Sequence, residues 1–172
     1  RAGCGYGRPV EHIPGTIQAL NGIPVLFGAL MTPYDTSITA PQVPIPKARL
    51  LRRSLDSTGG VLVYDRLPMD GRTWLAVAET TRLVAEFEPL FLTGKRSALQ
   101  GHDPAVVQLL SDGKTTLVCA MNDSSASVER RITLPADAGD GTEFYSGKKV
   151  KAGETVACAL APGEAAVYVL KR

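Results

Sequence analysis

The sequence predicts an α/β unit followed by an all-β unit, the first over residues 1–97 and the second over residues 102–172. Three observations carry that expectation. Before Gly101, continuous apolar runs at residues 23–30 and 61–64 alternate with stretches of helical period. After Gly101 come only short alternating segments, separated by polar turn residues. Residues 101–104 (GHDP) read as the linker between the two patterns.

The first unit is justified element by element. Val10, Ile13, Ile17 and Leu20 could share one helix face, but Pro14 and Gly15 shorten or bend any helix there. Asn21 and Gly22 mark a turn. Residues 23–30 (IPVLFGAL) are apolar on both faces, as a buried parallel strand requires. Residues 31–46 hold four prolines and read as a long loop, a length that in compact domains is usually functional or disordered. Residues 47–55 read as a helix with Leu51 and Leu55 on one face, ended by the DSTGG segment at 56–60. Residues 61–64 read as a second buried strand, with 65–71 as its exit loop. A long helix is then expected from Thr73, as cap, to Leu92. Trp74, Val77, Ala78, Thr81, Val84 and Ala85 would line its buried face, widened by Leu83, Phe87, Leu90 and Phe91.

Strands of the second unit are expected at residues 106–110, 116–121, 128–134, 143–145, 155–160 and 165–170. A hairpin turn is expected at 111–114, with further turns at 122–126 and 161–164. Such spacing suggests an antiparallel β-sandwich. About 70 residues build only a marginal core, so the unit is expected to lean on the preceding helix through Phe91 and Leu92.

Two parallel strands with two or three helices cannot cover their own faces, so the first unit reads as incomplete. The last βα units of a (β/α)8 barrel fit best, because the loop after Leu30 is long, as active-site βα loops often are. A doubly wound sheet is the runner-up. The remaining strands are expected from upstream sequence or a partner chain. The opening residues (RAGCG) carry no Met and read as the middle of something.

Composition removes several classes. Hydrophobic residues make up 44% and charged residues 21%, and the net charge is +2 from 19 basic and 17 acidic side chains. No basic patch suggests a nucleic-acid partner. The longest apolar run is far too short for a membrane span. No Cys/His spacing suggests a metal, and no cofactor is expected. Gly3–Gly7 lacks the spacing of a dinucleotide fingerprint. Cys119 and Cys158 are either buried reduced thiols or a bridge between strands. A bridge would imply export, and a secreted or periplasmic location is slightly favoured.

Residues 117–122 (LVCAMN), 128–135 (VERRITLP), 145–150 (YSGKKV) and 156–170 (VACALAPGEAAVYVL) carry a resemblance. The segment from 105 to 171 resembles the C-terminal all-β domain that follows the barrel in glycoside hydrolases of the α-amylase and α-galactosidase kinds. The resemblance implies a carbohydrate substrate, and catalytic carboxylates mostly on barrel strands outside this chain. It transfers no site residue.

In a βα barrel, functional groups sit at the C-terminal ends of strands. Glycoside cleavage needs two carboxylates at a defined separation. Asp35, past the first strand, and Asp65, past the second, are the candidate pair. Tyr34 and Tyr64 could stack on a sugar ring, and Arg66 and Asp70 could contact substrate. An Asp at a strand exit also commonly caps a turn, and Asp65 with Arg66 could be a local ion pair. His12 could reach a pocket, whereas His102 reads as a linker residue. If residues 3–7 are a strand exit, Tyr6 and Arg8 would join the rim. The expected function is the C-terminal part of a glycoside hydrolase, inactive as this chain alone. The alternatives are a non-catalytic β-sandwich module and a subunit of another α/β enzyme completed by a partner chain.

Overall fold

The computed structural model describes residues 46–56 and 71–172. The strands expected at 23–30 and 61–64, and the helix in the first twenty residues, lie outside that description.

Helix α1 spans Lys47–Asp56. Ala48, Leu51 and Leu55 fall on one stripe and are fully buried. The helix expected from Thr73 to Leu92 is two: α2 at Gly71–Glu86 and α3 at Glu88–Thr93, broken at Phe87. Pro89 explains the break. Inside a continuous helix it would lose the bond to the carbonyl four residues back and clash with it, whereas in the first turn of α3 neither cost arises. Thr73 is not a cap, because it sits buried within the first turn of α2.

The buried face of α2 also differs from the expected one. Leu83 is buried as expected, but it is joined by Thr73, Ala76 and Thr80 and not by the Trp74 stripe. Trp74 and Leu75 are 56% and 59% exposed. Hydropathy favours the Trp74 stripe, but α2 packs against α1 through residues whose small side chains permit close approach.

Eight strands follow: β1 (Lys95–Ala98), β2 (Val107–Ser111), β3 (Thr115–Met121), β4 (Val128–Thr133), β5 (Gly141–Glu143), β6 (Lys149–Val150), β7 (Thr155–Leu160) and β8 (Ala165–Lys171). A six-stranded antiparallel sheet runs β1-β2-β3-β8-β5-β6, and β4 and β7 form a separate ribbon. The sheet therefore begins at Lys95, on the α/β side of residue 97, and β1 pairs from Lys95 opposite Ser111 to Ala98 opposite Gln108. The strand expected at 143–145 is shifted to β5. Gly141 is the reason: a Cβ there would overlap the Val169 carbonyl, so only glycine lets β5 close on β8 at this register. Phe144 and Tyr145 then turn out of the strand toward the helices. The hairpin expected at 111–114 forms, with Asp112 Oδ1 accepting from the Lys114 and Thr115 N–H groups at 2.9 and 2.8 Å.

Two cores share the sheet. On one face Val118 and Ala120 of β3, with Ala166, Tyr168 and Leu170 of β8, pack under Ile132, Val156, Cys158 and Leu160 of the β4–β7 ribbon. On the other, Leu117, Cys119 and Met121, with Ala165, Val167 and Val169, meet Ala48, Leu51, Leu55, Leu83, Leu90 and Phe91 of the helices. Strands covered on both faces must be apolar at every position, which is why 117–121 and 165–170 show no alternation. The β7 pattern alternates strictly, because its outer face meets water.

Candidate functional site

The most functional-looking geometry among the described residues lies where α1 begins. A cleft of about 840 Å³ opens between the start of α1, the first turns of α2, and the turns after β3 and β7. Its charged lining is balanced: Lys47, Arg49 and Arg72 face Glu79, Asp123 and Glu164. That balance favours neither an anion nor a cation.

Lys47 is the centre of this region. Its Nζ lies 2.9 Å from Glu79 Oε2 and 2.6 Å from Glu164 Oε2, and 4.5 Å from the centre of the Tyr145 ring. Burial by itself would lower the lysine pKa. The hydrogen bonds and charges of Glu164 and Glu79 outweigh that and raise it, so the ammonium is held protonated. A lysine held this way is a fixed charge and not a base. Nor do Glu79 and Glu164 form a hydrolytic pair, since Lys47 fills the space between them where a glycosidic oxygen would have to lie. Arg49 pairs with Asp123 at 3.2 Å on the rim.

Asn122, at the end of β3, ties together the two turns that border the cleft. Its Nδ2 donates to the carbonyls of Ala126, Leu160 and Ala161 at 2.9, 3.1 and 3.0 Å. Its Oδ1 accepts from the Ser124 N–H and hydroxyl at 3.2 and 2.6 Å. Its backbone exchanges bonds with the β7–β8 turn: Asn122 N–H donates to Glu164 O at 2.9 Å, and Gly163 N–H donates to Asn122 O at 2.8 Å. The residue is 1% exposed, so each of these bonds replaces lost water.

The candidate residues from the sequence, Asp35, Asp65, Tyr34, Tyr64, Arg66 and Asp70, together with His12, lie outside the described residues. His102 is described, half-buried in the turn after β1. Cys119 and Cys158 are free and belong to cores on opposite faces of the sheet, so the bridge considered between them does not form. Burial pushes the Cys119 thiol up to about 12. Among the described residues no group of His, Cys, Asp and Glu could hold a metal ion, and no helix is long and apolar enough to cross a membrane. Sequence reasoning missed Lys47, Glu79 and Glu164 as a cluster. The only available signal was a lysine directly after a proline-rich segment, at the first position of a helix.

No protein-family model and no curated protein sequence matches the chain. Solved structures do. A variant of AmyP in complex with maltotriose matches with a TM-score of 0.54 and 18% identity, over 72% of this chain and 34% of that one. The α-amylase of Geobacillus thermoleovorans, complexed with acarbose, matches with a TM-score of 0.53 and 17% identity, over 86% of this chain and 39% of that one. A proposed α-galactosidase from Bacteroides fragilis matches with a TM-score of 0.50 and 14% identity, over 73% and 28%. The chain therefore has a glycoside-hydrolase-like fold and spans 28–39% of the length of these neighbours.

Proposed function

We propose that the chain is the C-terminal part of a carbohydrate-active glycoside hydrolase. In this reading the α/β residues supply the last βα units of a (β/α)8 barrel. The all-β residues are a stabilising sandwich, and upstream sequence or a partner chain completes the barrel. Asp35 and Asp65 stand at the strand exits as the carboxylates nearest the chemistry, with Tyr34, Tyr64, Arg66 and Asp70 contacting the sugar. The observation that carries the reading is the likeness to the α-amylase fold over 86% of this chain. The charge-balanced cleft at α1 gives no support to a charged substrate.

The test is hydrogen exchange of the full chain with maltotriose and, separately, with an α-galactoside. One of the two sugars is expected to protect peptides containing residues 34–35 and 64–70, and Asp65→Asn is expected to weaken that protection. Protection confined to residues 102–172 would instead favour a non-catalytic binding module, and no protection by either sugar would count against the reading.

A further inference from the structure

The turn between β7 and β8 makes more contacts than a chain reversal needs. We propose that residues 161–164 are an anchor that fixes where the chain enters α1, with Gly163 and Asn122 as its positioning residues. The all-β part would thereby set the position of the loop that ends at Pro46. The proposal rests on the reading above, in which that loop carries Tyr34 and Asp35.

Three ties of different physical kinds meet at the front of the turn. Ala48 N–H donates to Gly163 O at 2.8 Å, satisfying one of the backbone donors that a helix start leaves open. Lys47 Nζ reaches Glu164 at 2.6 Å and, from the same atom, Glu79 of α2 at 2.9 Å. Pro46 packs directly on Gly163, where an added Cβ would lie 2.6 Å from the Pro46 Cβ. Behind the turn, Asn122 holds the carbonyls of Leu160 and Ala161 and exchanges backbone bonds with Gly163 and Glu164. The turn is thus clamped between a buried asparagine and the first residues of a helix. The positive φ of +78° accounts for a glycine here, as at any turn of this kind. The contact with Pro46 has no part in reversing the chain, and only the seating of α1 accounts for it.

A matched pair of glycines separates these two demands. Gly113 has a φ of +88° and nothing within 4 Å of an added Cβ, so alanine there carries the backbone strain alone. Hydrogen exchange is measured on the full chain for wild type, Gly163→Ala and Gly113→Ala. Gly163→Ala is expected to speed exchange by roughly tenfold at residues 47–50, with β3 and β8 still protected. Gly113→Ala is expected to leave exchange there unchanged. Equal effects of the two variants, or acceleration spread evenly over β3 and β8, would overturn the anchor. Should Gly163→Ala fail to fold, Glu164→Gln takes its place, with acceleration at 47–50 expected and its absence decisive against the proposal. These outcomes need no sugar. Failure of both sugars to protect wild type would sink the hydrolase reading and leave the anchor standing, and the converse also holds.

Discussion

Asn122 uses every polar atom it has on the chain around it, which makes its amide hard to replace. Asn122→Asp removes the Nδ2 donors and turns a carboxylate toward three carbonyls. A loss of about 2–4 kcal/mol in urea denaturation is expected, the penalty of buried groups left unpaired. Cys119 carries a pH signature. Its thiol ordinarily titrates near 9 and is pushed up to about 12 by burial, so the folded state resists the thiolate. Stability from this group is complete below pH 9 and is lost as pH rises toward 12. Wild type should therefore lose up to ~1.4 kcal/mol per pH unit more than Cys119→Ala across that window. The comparison is a difference in slope, so the pH-independent cost of the cavity left by alanine cancels. Asn122 was legible in the sequence as a strand ending before a polar turn. The pairing of the cysteines was not, because strand period alone does not say which face of which sheet a residue joins.

At the scale of elements, one guanidinium binds three of them together. Arg96 of β1 donates to the Leu55 carbonyl at the end of α1, to Phe91 O of α3 at 2.7 Å and to Gly94 O at 3.3 Å. Helix ends leave carbonyls without partners, and a planar fork of donors can serve two ends at once where an ammonium cannot. Arg96→Met is expected to lower stability by about 1–3 kcal/mol, and Arg96→Lys to recover little of it, measured by thermal unfolding followed by circular dichroism. The edge strand that carries Arg96 was not legible, since four polar and small residues, all but Arg96 exposed, have no alternation to read. The break at Pro89 was written in the sequence, but the expectation of one long helix to Leu92 followed the apolar period and missed it. The rotation of α2 was not, because hydropathy ranks Trp74 above Ala76 while packing against α1 selects the smaller residue.

Across the whole molecule, the sheet belongs to both cores and cannot be divided at Gly101 without opening one of them. A fragment of residues 102–172 lacks β1 and the three helices described above. Leu110, Leu117, Cys119, Met121, Val167 and Val169 would then face water. Such a fragment is expected to show no cooperative urea transition and to bind a hydrophobic dye, whereas the full chain unfolds cooperatively. A sharp two-state transition from the fragment would show that the helical face is dispensable.

The sequence by itself determined where α1 lies, where most strands of the all-β part run, and which turns join them. Local period, proline and turn chemistry decide these, and all three are written along the chain. Only the tertiary structure decided which apolar strands are covered on both faces, which side of α2 is inward, and that β1 extends the sheet. It alone brought Lys47, Glu79 and Glu164 to one point, from a helix start, a helix interior and a turn, 117 positions apart at the extremes. Such clusters depend on which surfaces meet, and no local pattern encodes that.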